Sequence, residues 1–191
     1  GVAGDWYEID EINVKEVIPS VIPTSVSVVK ENDTYAVRFN ASSVLNCGSY
    51  DGLAGDITIL QWLRIPKKPT TYYSIFSNSA IRVLIDPNMN LLMTSDNGTT
   101  YSAQVVFPTS LFFLSIQRYS NGAVNIYYNS YLVRTSTSGN SSSGAVIYIG
   151  SLIGTTYKTI GDIYSTKVIS GILTQQEIAQ IYSSEKIKFG L

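Results

Sequence analysis

Histidine is absent from the 191 residues, and cysteine occurs once, at Cys47. Without an imidazole the chain lacks the side chain that titrates nearest neutral pH and the commonest metal ligand. Zinc enzymes and histidine-dependent serine or cysteine hydrolases are therefore poor readings. A single thiol cannot close an internal disulfide, so redox chemistry does not fix the compartment. Charge is scarce as well: 14% of residues are Asp, Glu, Lys or Arg, against about a quarter in an ordinary soluble domain. The 13 Lys and Arg are scattered along the chain, which argues against a basic patch for phosphates and so against a nucleic-acid partner. No apolar run reaches the roughly 18 residues of a membrane span, and the first residues show no basic-then-apolar signal pattern. No Gly-rich stretch ends in Gly-Lys-Ser/Thr, as a phosphate loop would.

Ser, Thr, Asn and Tyr take the place of charge. Such a surface is wetted by hydroxyls and amides, and it associates with secreted and cell-surface proteins. Asn-x-Ser/Thr acceptors for N-glycosylation stand at Asn32, Asn40, Asn97 and Asn140, none with proline in the middle. The length suits one domain plus some extra chain, and such a domain buries roughly two thirds of its unfolded surface.

From Ser27 onward short runs rich in β-branched and aromatic residues follow one another: SVSVVK, TYAVRFN, ITILQWLRI, TYYSIFS, AIRVLID, NLLMTS, TYSAQVVF, LFFLSIQRY, AVNIYYNSYLV and GAVIYIG. Asn, Asp, Gly or Pro turns separate them, the pattern of an antiparallel sandwich or barrel. Asn121-Gly122 and Asn97-Gly98 supply the positive φ of tight hairpins. Across the first hairpin, Phe112, Leu114 and Ile116 should share a core face with Val124, Ile126 and Tyr128. Near the end the period becomes helical. In LTQQEIAQIYSSEKIKF, Thr174 is the expected N-cap, Glu177 completes a capping box, and Leu173 and Ile178 form a hydrophobic staple. Ile178, Ile181 and Tyr182 make a narrow apolar stripe. Glu185 to Phe189 is read as a last pairing segment.

The order of these pieces resembles the laminin G-like, concanavalin A-like lectin and glucanase superfamily. The resemblance is carried by Trp62, Tyr128-Asn129, Ile149-Gly150 and the Leu173-to-Ile178 helix start, over about residues 26 to 183. Ser130 departs from the Gly usual after the Asn of that hairpin. The resemblance implies an all-β fold, a two-sheet antiparallel jelly-roll sandwich with one short C-terminal helix. Residues 25–191 would form it. Residues 1–24 would be an extended N-terminal strand and linker, punctuated by Pro19 and Pro23.

That scaffold hosts enzymes, lectins and adhesive modules alike, so activity must be argued from residues. The run EIDE (Glu8 to Glu11) invites comparison with the retaining glucanases of the superfamily, whose carboxylates alternate along one strand so that the outer pair stands about 5 Å apart. Glu8 and Asp10 satisfy the first half. The third position is Ile12 or Asn13, neither of them an acid, and the run precedes the matched domain. A noncatalytic protein is therefore expected. Residues 5 to 17 then read either as a strand packing within this polypeptide or an upstream domain, or as a strand donated to a neighbouring subunit.

Binding is expected at Tyr50, Asp51, Asp56, Asp96, Asn97, Tyr127 and Tyr131. The Gly48-to-Gly52 loop, Asp56, Asp96, Asn97 and Asp162 are the oxygen-bearing positions for the rim calcium that the resemblance implies; the alternative is that they only form turns. Tyr72-Tyr73, Tyr127-Tyr128 and Tyr131 could stack on sugars or fill sheet faces. No other cofactor is expected. The expected role is a structural or adhesion module outside the cell or on a virion, in the manner of surface proteins of archaea or their viruses. Its partners would be proteins or neighbouring subunits. The alternative is a carbohydrate-binding lectin-like module, with or without calcium.

Overall fold

Alternating strands of this kind bury one face each, and the structure shows two sheets doing so against each other. It is a computed structural model that describes residues 22–24, 26–31, 34–49, 55–78, 81–95, 100–103, 108–136, 146–151 and 157–191. The EIDE segment lies outside the described residues, as do Asn32, Tyr50, Asp51, Asp96, Asn97 and Asn140.

The first sheet contains β1 (Ile22–Thr24), β4 (Val44–Ser49), β6 (Tyr73–Ser77), β7 (Ile81–Ile85), β8 (Leu91–Ser95), β9 (Thr100–Ala103) and β13 (Val146–Ile149), in the order β1-β4-β13-β6-β7-β8-β9. The second contains β2 (Ser27–Glu31), β3 (Thr34–Phe39), β5 (Ile57–Arg64), β10 (Phe112–Arg118), β11 (Val124–Tyr128), β12 (Tyr131–Ser136) and β14 (Gly161–Ser170), in the order β12-β11-β10-β5-β14-β3-β2. The strand pairs within both sheets are antiparallel. Between the sheets lies one apolar core, filled among others by Phe39, Ile59, Leu63, Phe76, Val83, Phe112, Ile116 and Ile126, each at most 1% exposed. Fully burying a side chain of this size contributes about 1.5–3 kcal/mol.

The hairpin expected at Asn121-Gly122 is present. Gly122 has φ 81°, its N–H donates to the Tyr119 carbonyl at 2.8 Å, and Leu114 and Ile116 stand opposite Tyr128 and Ile126. The run AVNIYYNSYLV, read as one piece, is two strands folded at Asn129-Ser130. Both residues take positive φ, 45° and 71°, as a tight hairpin demands. Ser130 is tolerated in the left-handed region because its neighbour is held: Asn129 exchanges two 2.9 Å bonds with the Phe113 backbone, through its own N–H and its side-chain oxygen.

β4 was not among the expected strands, since LNCGS offers little β-branched surface. It forms because β1 and β13 supply a ladder on both sides. That places Gly48 and Ser49 in a strand, where a loop was expected. β1, in the stretch read as a linker, is an edge strand, the place in a sheet where proline is tolerated.

One helix, α1 (Gln175–Lys186), caps the outer side of the second sheet. Its start is as the residues predict: Thr174 Oγ1 accepts from the Glu177 N–H at 3.2 Å, and the Thr174 N–H donates to Glu177 Oε2 at 2.6 Å. Leu173, Ile178, Ile181 and Tyr182 pack with Leu60, Trp62, Phe113 and Tyr127 of the sheet. The Trp62 ring stacks on Tyr182 at 5.7 Å and its indole N–H donates to Glu185 at 2.6 Å. Glu185 to Phe189 is therefore no pairing segment: the helix continues to Lys186, and Ile187–Phe189 form a 3₁₀ turn that lays Phe189 on Trp62.

Candidate functional site

The helix covers the middle strands of the second sheet, β14, β5, β10 and β11, and no helix among the described residues lies on the outer side of the first, which makes that side the candidate ligand face. Pleating decides its composition. In β7, Ile81, Val83 and Ile85 enter the core, so Arg82 and Leu84 project outward. In β13 the inward Ile147 and Ile149 leave Tyr148 outside, and in β4 the inward Leu45 and Cys47 leave Asn46 outside. The register then aligns one row across four strands: Asn46 opposite Tyr148, Tyr148 opposite Ser77, and Ser77 opposite Arg82. Successive members stand one strand spacing apart, about 4.8 Å. Leu84 and Leu92, paired on β7 and β8, form an apolar step beside the row.

Asn46, Tyr148, Arg82 and Leu92 are half-buried, so solvent reaches this face, whereas Ser74 and Ser77 are fully buried in it. Ser77 donates to the Ser151 carbonyl at 2.8 Å. Ser74 Oγ, Ser151 Oγ and Arg82 Nε are buried without a hydrogen-bond partner among the described residues. Native structures leave few such groups, and each costs about 1–3 kcal/mol when unpaired. The half-buried members of the row are thus an amide, a phenol ring and one guanidinium, groups suited to hydrogen bonding and stacking, with the serine hydroxyls buried beside them.

The described carboxylates are committed elsewhere. Asp162 lies inside β14, 2% exposed, and receives Arg38 at 2.7 Å and Arg64 at 2.5 Å. Burial alone would raise its carboxyl pKa; hydrogen bonds and charge from Arg38 and Arg64 outweigh this and hold it below the usual range. Two arginines leave no place for a cation there, which corrects its expected role at a calcium rim. Asp86 takes the N–H groups of Asn88 and Asn90 in a turn. Glu185 pairs with Lys167 at 3.0 Å and accepts from Trp62. Glu177 serves the helix cap, where the Thr174 backbone and hydroxyl lower its pKa. Among the described residues no group of three or more Cys, Asp or Glu is placed to hold a metal.

Of the expected binding residues, the three that are described, Asp56, Tyr127 and Tyr131, do not converge. Asp56 is half-buried and latches two turns, its side chain accepting from the Ser120 N–H at 2.6 Å and its carbonyl from Gly171 at 2.7 Å. Tyr127 is 5% exposed beneath the helix, so it cannot offer its ring to a sugar; alternation turned it to the sealed side. Tyr131 is 72% exposed at the edge strand β12. Asn40 is exposed on a turn, its side-chain oxygen accepting from the Ser42 N–H at 2.8 Å. Tyr72 packs edge-on against Tyr157. Arg82 and Tyr148 were missed, although each was marked by being the polar or amphipathic residue within an apolar strand.

No family model matches the chain, and no curated protein matches it. Solved structures do. The receptor-binding domain of botulinum neurotoxin C/D mosaic serotype superposes with a TM-score of 0.67 at 14% identity, over 85% of this chain and 45% of that one. The binding domain of botulinum neurotoxin DC, in complex with rat synaptotagmin II, gives 0.66 at 14% identity, over 86% and 46%. Domain 4 of AbnA, an extracellular GH43 arabinanase from Geobacillus stearothermophilus in complex with arabinotriose, gives 0.65 at 17% identity, over 83% and 82%. This chain thus spans less than half of the toxin chains and most of the arabinanase domain. It shares their fold, a two-sheet β-sandwich of the jelly-roll kind.

Proposed function

We propose that this chain is a noncatalytic, extracellular binding module of lectin type, adhering through saccharide contact on the outer face of the first sheet. The observation that carries the reading is the asymmetry of the sandwich: α1 covers the middle of one outer face, while the other has an aligned row of hydroxyl, amide, phenol and guanidinium groups in which Arg82 Nε is a buried donor without a partner among the described residues. Sugars present matching donors and acceptors. The engagement of Asp56, Asp86, Asp162, Glu177 and Glu185 in turns, ion pairs and the helix cap supports the noncatalytic part. The structural neighbours support the rest, since one is a domain of an extracellular enzyme solved with a trisaccharide and others are receptor-binding domains.

A glycan array probed with the intact chain, with and without calcium, tests this. Binding that is lost in Tyr148→Ala and kept in Tyr131→Ala is the expected result, and loss on chelation would identify the calcium-assisted form. A blank array, or binding that depends on Tyr131 and ignores Tyr148, would overturn it.

A second reading, a structural subunit that assembles edge to edge, is favoured by β12. This terminal strand of the second sheet exposes Tyr131 and also Leu132, which is 46% exposed. Sedimentation of the full chain beside a Tyr131→Lys, Leu132→Lys variant separates the two: oligomers that the variant loses support edge-to-edge assembly, and monomers in both cases refute it.

A further inference from the structure

We propose that the row on the first sheet selects acidic saccharides, with Arg82 receiving the sugar carboxylate. This rests on the saccharide reading above and names its ligand class. Arg82 and Arg118 each have a buried Nε without a hydrogen-bond partner among the described residues, and Arg82 differs from Arg118 and from three other cations in having no partner among those residues for the rest of its guanidinium. Arg38 and Arg64 are held by Asp162, Lys167 by Glu185, and Arg118 donates to the Gly55 carbonyl at 2.6 Å. Arg82 pairs with no carboxylate among the described residues, and its Nε is a buried donor with no acceptor. Nothing among the described residues neutralises this charge.

A guanidinium presents its N–H groups in a planar fork that matches both oxygens of a carboxylate. Beside that fork the outward neighbours on the sheet, Ser77 across from Arg82 and Leu84 two residues along β7, carry no second charge. The half-buried Tyr148 ring lies two strands along the row, where an adjoining sugar of an oligomer would rest. A polyanion such as a nucleic acid fits less well, because the row contains one cation only and binding of that kind needs several phosphates neutralised together. One carboxylate on a hydroxyl-rich ring fits the inventory.

The test is titration calorimetry with two matched pairs: trigalacturonate beside its methyl ester, and 3′-sialyllactose beside lactose. At least one acid should bind about 10-fold or more tightly than its neutral counterpart, with added salt eroding only the acid's affinity. Arg82→Gln should abolish that preference, and Arg82→Lys should restore part of it, since the charge returns without the fork. Thermal melts confirm that the variants fold, and the acid-to-neutral ratio of the unmodified chain decides alone if they do not. Equal affinity within both pairs, untouched by Arg82→Gln, overturns the acid selectivity and leaves the saccharide reading standing. Failure of all four sugars also overturns it, and the glycan array then decides whether the saccharide reading falls too.

Discussion

Replacing Asp162 by Asn keeps the side chain's shape and removes the negative charge to which Arg38 and Arg64 both point. Four contacts are affected: Arg38 Nε to Oδ1 at 2.7 Å and Nη2 to Oδ2 at 3.1 Å, and Arg64 Nε and Nη2 to Oδ2 at 3.1 and 2.5 Å. Removing one partner of a fully buried ion pair costs about 3–5 kcal/mol. Here the carboxylate is 2% exposed, but the arginines are 45% and 28% exposed and recover hydration, which reduces the expected loss to about 2 kcal/mol. For a chain of this size that is a fall in Tm of about 4–8 °C. The pH dependence follows from the lowered pKa of the Asp162 carboxyl. A depressed carboxyl contributes its stability in full above the unfolded value, near 3.9, and loses it as pH falls through the folded one. Urea melts of the two proteins should therefore differ by about 2 kcal/mol at pH 7, and the gap should narrow in acid as far down as both melts stay cooperative. The remaining carboxylates are common to both proteins and cancel. A gap below about 0.5 kcal/mol at pH 7, or one that acid leaves unchanged, would refute the assignment.

Two further outcomes are expected. Gly150 has φ +76°, and a Cβ there would stand 2.2 Å from two ring atoms of the buried Phe39. Gly150→Ala should cost about 3 kcal/mol from left-handed strain and overpacking together, and unaltered denaturation would overturn this packing. Burial pushes the Cys47 thiol up to about 12 from 9.0, which leaves roughly a thousandfold less thiolate at pH 8. Alkylation followed by mass spectrometry should modify native Cys47 slowly and the urea-unfolded chain quickly; fast labelling of the native protein would contradict its position in the core.

What could be read from the residues alone tracks how local each determinant is. The capping box at Thr174 and the Asn121-Gly122 turn need only their own neighbours, and both appeared where expected. The sandwich class followed from repeated alternation between turn residues. β4 was missed because its partners β1 and β13 are distant in sequence, and a ladder rescues a strand that its own side chains do not announce. Tyr127 was assigned to a surface because alternation shows that a residue faces out of the sheet but not that a helix some fifty positions later lands on it. The fate of Asp162 was hidden for the same reason, since Arg38 lies 124 residues away. The aligned row depends on register across β4, β13, β6 and β7, information that no single strand contains.

The passage from β1 to β2 has a mechanical consequence. Within a few residues the chain leaves an edge of the first sheet and joins an edge of the second, with three residue pairs at β1 and five at β2. Tension applied at Ile22 meets the three pairs with β4 before it reaches the five with β3. The inner strands β6, β7 and β13, which hold Ser77, Arg82 and Tyr148, lie beyond β4 on the first sheet. A pull from that end would give way first at a short outer strand, and the row of Ser77, Arg82 and Tyr148 would keep its shape while the chain before it lengthened.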